Sequence, residues 1–587
     1  MKRNSLKIPK KQNQIIPNTK RGNLAAVWKQ GAVFNKVTVV TFLLLAFFGV
    51  KHFMDTRAGA MESGDAWLMG WYGVLFVVCL AGAGVLGYLF YSGRKLEHIF
   101  VPAGLFFGGL FLCVLPPLSA PDEVSHYISA YQLSSRLMGK PANYKTGHVL
   151  VRAEDWFLED VNGEYRYEVD GDTLVAVHQE ETDATVLGQT LTEDTYRAIH
   201  ELGVFGHAEV PGERKQEAES LPADLQQAPA YAVSTYPPVV TTPLAYVPQA
   251  MGITMARLLG MNSLGLAYLG RLFNLLFYVG ITFLAMRRLP FGKEVLFGVA
   301  LLPMTLHLTG SMSYDAMILA LAFYFTAVCL DLAYEKEKVQ VRDIVMLAAV
   351  VAVMGPCKMV YAVLMALCFL IPVRKFGGWR NYILSAAAVL TAFVIAMALV
   401  NSQTIAVYTS ESETYVIWAE EAGYSLGQLL SSPKLLFKMF YNTFLWQAEY
   451  YHLTMIGAYL GNVDVVLDVP YLMVMMFSLG LLGLSFRKPG ETLKIGNGQR
   501  AFIWLVCFGC AGAVMFSMLL AWTPVSSSVI TGVQGRYFLP FLPVLLLSLK
   551  NDLVVLTKNS SRTILYLMCA ADCYVILRLF SIVSMRL

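Results

Sequence analysis

Residues 98–126 read H-I-F-V-P-A-G-L-F-F-G-G-L-F-L-C-V-L-P-P-L-S-A-P-D-E-V-S-H. Positions 98–117 contain no Asp, Glu, Lys or Arg, and a membrane-crossing helix needs about 20 such residues. Pro116-Pro117 closes the run, because proline has no N–H to continue the helical ladder. The first ionisable side chains, Asp122, Glu123 and His126, follow within ten residues. The pattern is a span that ends stiffly and delivers a polar cluster to one membrane face.

The same pattern recurs along the chain. Of the 587 residues, 56% are hydrophobic and 15% charged. Mean hydropathy is +0.53. Soluble domains carry roughly 25% charge, so most of this chain is expected to face lipid or other helices. Apolar runs of spanning length lie near 37–53, 67–91, 98–117, 264–286, 294–310, 315–333, 381–401, 470–486, 501–522 and 563–583. Residues 343–373 suit two short helices broken at Gly355-Pro356, and 537–550 is a short run anchored by Tyr537. The expected fold is an all-α polytopic membrane protein of about 13 transmembrane helices, with a large outer loop domain of mixed α/β character.

Lys and Arg in short loops set the orientation. The tail 1–36 has nine basic and no acidic residues, which reads as a cytoplasmic anchor rather than a nucleic-acid arm. Arg94-Lys95, Arg287-Arg288, Lys336 to Arg342, Arg374-Lys375, Lys488, Lys550, Lys558 and Arg562 join it inside. Spans 37–117, 264–401 and 470–587 then bracket two outer segments, 118–263 and 402–469. The first is strongly acidic, which does not bar translocation. Within it Tyr165, Tyr167 and Val169 alternate before Asp170-Gly171, a hairpin signal. Residues 237–259 and 432–445 read as helices lying on the outer membrane surface, the second with Leu436, Met439, Phe440 and Phe444 on one face. The nine cysteines all fall in apolar stretches, so no disulfide framework is implied. Cys507 and Cys510 lie mid-span, where packing explains them better than metal.

The polar residues at the outer depth carry the candidate chemistry. Asp122 is expected to begin a helix, with Glu123 in its first turn and His126 one turn on. Acids at a helix start are also ordinary dipole partners. Ser311 to Asp315 forms an outer turn, which includes Ser313. Arg271 sits two turns into a span, Lys358 follows the Gly355-Pro356 break, and Arg536 precedes Tyr537 at an outer membrane boundary. Charges at mid-bilayer cost about 2.5–3.5 kcal/mol, so such residues are retained for a reason. Cations facing acids across an outer cavity suit transfer of a sugar from a lipid phosphate. The leaving phosphate needs cations or a metal, and the acceptor hydroxyl needs one carboxylate base. No phosphate-binding P-loop, H-E-x-x-H or G-x-S-x-G occurs. Asp122, Glu123 and His126 are also possible ligands of a divalent metal, although three groups on one turn do not make a site.

Seven stretches in order carry a family resemblance. They are 116–126, Y-P-P-V-V-T-T-P-L-A-Y-V-P at 236–248, R-L-F-N-L-L at 271–276, L-P-M-T-L-H-L-T-G-S-M-S-Y-D-A at 302–316, C-K-M-V-Y at 357–361, G-A-Y-L-G at 457–461 and Q-G-R-Y-F-L-P-F-L-P at 534–543. Together they resemble a family of bacterial membrane proteins known as domain of unknown function 2142. That family looks similar to the GT-C class of membrane glycosyltransferases. The resemblance implies a polyprenyl-phosphate sugar donor, a cell-wall, surface-polymer or lipid-linked glycan acceptor, and a site on the outer face of a bacterial cell membrane. It implies catalytic roles for Asp122, then Glu123, with Asp315 as the second outer acid. Lys358, Arg271 and Arg536 are expected to hold phosphate, with His126, Tyr236, Ser313 and Tyr537 around the substrate. Two other classes fit less well: a transporter or flippase for lipid-linked glycan, and a non-catalytic envelope assembly protein that binds through 141–225.

Overall fold

In a computed structural model the chain is described at residues 32–115, 117–143, 147–152, 165–170, 173–178, 231–234, 238–239, 241–401, 415–460, 467–491 and 495–584. The basic tail up to residue 31, Tyr236 and most of the 141–225 insertion lie outside the described residues.

Helices α1 (Ala32–Ser63), α2 (Trp67–Tyr91) and α3 (Leu96–Val114) come first, followed by α4 (Glu123–Leu137). Strand β1 (Leu150–Arg152) pairs antiparallel with β4 (Tyr231–Val233), and β2 (Tyr165–Asp170) with β3 (Thr173–His178). The Asp170–Thr173 register leaves two residues between β2 and β3, the hairpin that alternation and Asp170-Gly171 predicted. A 3-10 turn (Pro243–Tyr246) leads into α5 (Val247–Leu258), then α6 (Ser263–Arg288), α7 (Lys293–Ala300), α8 (Pro303–Thr309), α9 (Asp315–Leu330) and α10 (Val341–Cys357). After a 3-10 stretch (Met359–Leu370) come α11 (Trp379–Val400), α12 (Leu426–Ser431), α13 (Pro433–Ile456), α14 (Tyr471–Ser485) and α15 (Asn497–Ala521). A 3-10 turn (Gly535–Phe538), α16 (Leu542–Leu547) and α17 (Ser561–Ser584) complete the chain.

Eight helices among the described residues are long and apolar enough to cross a membrane: α1, α2, α3, α6, α9 as continued by a π-helical turn to Glu335, α11, α15 and α17. The other runs counted toward about 13 are shorter or broken. Residues 294–310 split into α7 and α8 before Pro303, which cannot donate to the helix behind it. Helix α14 has 15 residues, about 22 Å of rise. The run 537–550 is a 3-10 turn followed by a six-residue helix. In 343–373 the break falls at Lys358 rather than at Gly355-Pro356, because Pro356 in the last turn removes only one ladder bond. The carbonyls left open there find partners. Asn401 Nδ2 donates to Pro356 O (2.8 Å) and Thr241 Oγ1 to Cys357 O (3.2 Å).

Burial locates the core. The most hydrophobic window of α9 is 94% buried, whereas that of α11 is 11% buried. A helix apolar on every side belongs inside a bundle, and one that is apolar yet uncovered suits lipid. Helix α9 packs against α6 and α10, and α6 against α3 and α5. Helix α5, expected as a surface helix over 237–259, is docked on α4 and α6. Helix α13 runs to Ile456, well past the expected end near Leu445, and stops at Gly457 with φ 113°. Its buried face is Met439, Thr443, Tyr451 and Thr454. Phe444, expected on that face, is 70% exposed.

Ionised groups form two layers. At one end Arg288 pairs with Asp331 (2.6 Å) and Asp343 (2.7 Å), and Lys336 joins Asp343 (2.7 Å). Nearby, Glu294 pairs with Lys488 and with Lys550 (3.3 Å). Arg271 stands 17 residues before Arg288 on α6, about 26 Å away. That separation is close to the roughly 30 Å of a hydrocarbon core. Arg271 belongs to the second layer.

Candidate functional site

The second layer starts where the chain leaves α3. Leu118 (φ 66°) and Asp122 (φ 57°) are both left-handed, a conformation costing an ordinary residue roughly 1–2 kcal/mol. Asp122 stands at the N-cap position of α4 without capping it. The left-handed step sends adjacent side chains different ways: Asp122 is 66% exposed and Glu123 is fully buried.

Glu123 is a clamp. Its Oε1 accepts from Arg271 Nε (2.7 Å) and Met312 N (2.8 Å), and its Oε2 from Arg271 Nη2 (2.6 Å) and Ala120 N (3.1 Å). Arg271 Nη1 donates to Leu115 O (2.9 Å). Burial alone would raise the Glu123 carboxyl, but the guanidinium and the two backbone donors outweigh it and hold the group below its ordinary range. The pair therefore ties α4 to α6 and to the turn before α9. Arg271, expected to hold phosphate, is 1% exposed and committed to Glu123. Asn274 Nδ2 fastens the same turn through Ser311 O (2.8 Å) and Ser313 O (3.0 Å), and Gln249 Nε2 through Met312 O (3.2 Å). Ser313 Oγ accepts from Asp315 N (3.2 Å), the first N–H of α9, from one residue before the N-cap Tyr314.

Asp122, Asp315, Lys358 and Arg536 form the reactive-looking cluster. Lys358 Nζ reaches Asp315 Oδ1 (3.3 Å) and lies 4.1 Å from the Tyr537 ring centre, with Tyr314 (5.5 Å) and Tyr361 (6.0 Å) around it. Aromatic faces stabilise a desolvated ammonium by about 2 kcal/mol. Arg536 Nη2 donates to Asp122 Oδ2 (3.3 Å) and Tyr537 Oη (3.3 Å), while Nε is 3.9 Å from Asp315 Oδ2. Arg536 is 4% exposed, and its Nε and Nη1 have no hydrogen-bond partner among the described residues. Buried donors of a permanent cation left unmatched are unusual and call for a ligand, water or ion.

The turn carrying Arg536 depends on Gly535. Its N–H donates to Thr454 Oγ1 (2.8 Å) on α13, and a Cβ there would lie 1.9 Å from Tyr451 O and 2.4 Å from Met455 N. Gly535→Ala is expected to push the turn off α13. The cost is about 1–3 kcal/mol, readable as a lowered thermal midpoint in lipid. An unchanged midpoint would mean that α13 yields.

His126 Nδ1 lies 2.8 Å from Tyr246 Oη, and its ring meets Tyr314 edge-on at 4.9 Å. Burial drives the imidazole down to about 4, against the opposing pull of the Asp122 and Asp315 carboxylates. In the unfolded chain it titrates near 6.5. Because the folded value is depressed, the stability it confers is complete above about pH 6.5 and lost as pH falls toward 4. His126→Gln should therefore flatten the fall of the thermal midpoint across that window. An unaltered slope would assign the fall to other groups.

The residues suggested for a divalent metal do not fit one as arranged. Both Glu123 oxygens are filled by donors, His126 Nδ1 is engaged by Tyr246, and Asp122 faces a guanidinium. Among the described residues no three His, Cys, Asp or Glu side chains converge. Tyr246, Gln249, Asn274, Tyr314 and Tyr361 are site residues that reading by charge overlooked. The signal lay in the motifs at 236–248, 271–276, 302–316 and 357–361, which contain all of them except Gln249.

Eight spanning-length helices among the described residues, with a buried polar cluster at one end, define a multi-pass membrane protein. The chain belongs to the family described as predicted membrane protein (DUF2142), whose model matches residues 105–545. No curated protein and no solved structure matches it. The family match spans every site residue from Asp122 to Tyr537 and leaves α1, α2 and α17 outside.

Proposed function

We propose that the protein is a GT-C-like glycosyltransferase that uses a polyprenyl-phosphate sugar at the outer face of a bacterial membrane and glycosylates a surface polymer or lipid-linked glycan. Arg536 carries the reading: a buried guanidinium between two carboxylates, with Nε and Nη1 unmatched among the described residues. A phosphate oxygen supplies the acceptor those donors lack. Lys358 adds a second positive charge from its tyrosine cage.

In this mechanism the acceptor hydroxyl oxygen attacks the anomeric carbon and Asp122 takes its proton. The bond from that carbon to the phosphate oxygen breaks, and polyprenyl phosphate leaves with both bonding electrons. Its charge rests on Arg536 and Lys358, so no strong acid is required. Asp122 suits the base because it is the exposed carboxylate and has one weak partner. Asp315 orients Lys358.

The test supplies purified protein in lipid with a panel of polyprenyl-phosphate sugars and a mixture of envelope glycans, and follows release of polyprenyl phosphate. Wild type is expected to release it. Arg536→Gln should slow release by about 10²–10³, the usual loss when a preorganised donor is removed. Release by both proteins at one rate, or by neither while both stay folded, would overturn the reading.

A further inference from the structure

A second orphaned guanidinium lies against the far half of α4. Arg257, in the last turn of α5, is 8% exposed. Its Nη1 donates to Ser134 Oγ (3.3 Å) and Ser135 Oγ (3.0 Å), both serines being fully buried. Thr254 Oγ1 donates to Ser134 Oγ (2.9 Å), and the guanidinium carbon sits 4.6 Å over the Tyr131 ring. Its Nε and Nη2 are buried and have no hydrogen-bond partner. Among the described residues no carboxylate pairs with it.

The orphaned edge is informative. Nε and Nη2 form the fork of an arginine that grips a carboxylate or phosphate with two parallel bonds. Arg271 uses that same edge on Glu123, at 2.7 and 2.6 Å. Arg257 has the edge and, among the described residues, no acid and no hydrogen-bond acceptor on it. Hydroxyls and an aromatic ring leave its charge uncompensated, and a buried charge is tolerated only when paired. Water could fill the hydrogen bonds but not the charge. Ser134 is 12 residues along α4 from Asp122, about 18 Å, so one phosphate cannot serve both Arg536 and Arg257.

We infer that Arg257, with Ser134 and Ser135, is a second anion seat, and that it takes a phosphate or carboxylate of an acidic acceptor glycan whose hydroxyl end reaches Asp122. The assignment to an acceptor rests on the transfer reading above. The charge of the ligand rests on Arg257 alone.

Binding is measured by calorimetry on the full chain in lipid nanodiscs, with no donor present. The probes are a glycerol-phosphate hexamer, a galacturonate trimer and neutral maltotriose. Wild type should bind an acidic probe and bind maltotriose at least about tenfold more weakly, as expected for a charge-assisted contact. Arg257→Met should weaken the acidic probe by about tenfold or more, and Arg380→Gln, an exposed arginine on α11, by less than about threefold. Arg257→Lys keeps the charge without the fork, and the same loss there supports the seat even if the methionine variant does not fold. Preference for the hexamer marks a phosphodiester polymer as acceptor, and preference for the trimer a uronate. Equal affinity supports a seat that reads charge. Acidic probes that bind Arg257→Met or Arg257→Lys as tightly as wild type, or that fail to bind folded wild type, overturn it. A protein that binds acidic probes yet releases no polyprenyl phosphate refutes the transfer reading and leaves the anion seat standing.

Discussion

Asp122→Asn is expected to reduce release of polyprenyl phosphate by about 10²–10⁴, the contribution of a general base, while changing stability by no more than about 0.5 kcal/mol. The two effects separate because of where Asp122 stands. Its φ of 57° is left-handed, and asparagine tolerates that region better than most residues. The side chain is 66% exposed, so the substitution opens no cavity. Asparagine keeps an oxygen for Arg536 Nη2 and loses the ability to accept a proton at neutral pH; the negative charge lost with it is that of an exposed group, and Asp315 remains beside the guanidinium. Initial rates and thermal midpoints from one preparation decide it. A folded Asp122→Asn protein with wild-type rates would remove Asp122 as base and turn attention to Asp315, the other carboxylate beside Arg536.

Glu123→Gln, one residue on, should do the opposite and cost about 3–5 kcal/mol of stability. Each carboxylate oxygen accepts two N–H groups, from Arg271 and Met312 on one side and from Arg271 and Ala120 on the other. Whichever way a glutamine amide turns, its NH2 faces two donors, and Arg271 keeps its charge without a counter-ion. The double variant Glu123→Gln/Arg271→Met should recover more than about 1 kcal/mol of that loss, because it removes the stranded charge. Thermal unfolding of the three variants in lipid measures both quantities. A Glu123→Gln protein as stable as wild type but inactive would make Glu123 a reacting group instead of a clamp.

Much of the site was legible from charge and position. Lys358 and Arg536 stood out as cations inside apolar sequence, and both flank Asp315. The cluster 116–126 was recognisable as a rigid exit, and α4 starts at Glu123 as its spacing predicted. Other parts were not legible. Tyr314 and Tyr361 resemble any membrane tyrosine until Lys358 is seen between them, since caging depends on contacts from three separate segments. Arg271 looked like a phosphate ligand because its partner, 148 residues away, read as a catalytic acid. Residues 294–310 had the hydropathy of a span, but hydropathy averages over the point where Pro303 interrupts the ladder, whereas the break expected in 343–373 at Gly355-Pro356 falls only slightly later, at Lys358.

The sequence by itself determined that this chain folds in a membrane, because so few charges over 587 residues leave no soluble alternative. It also singled out Arg271, Lys358 and Arg536 as cations in or beside apolar runs, because charge there is costly unless it is paired. Only the tertiary structure decided how the surroundings of Asp122 and Glu123 differ. A left-handed backbone step points one toward Arg536, 414 residues along the chain, and the other into Arg271. Adjacent carboxylates are chemically alike in a sequence. Burial and the geometry of distant donors make one a clamp and leave the other exposed with one long contact.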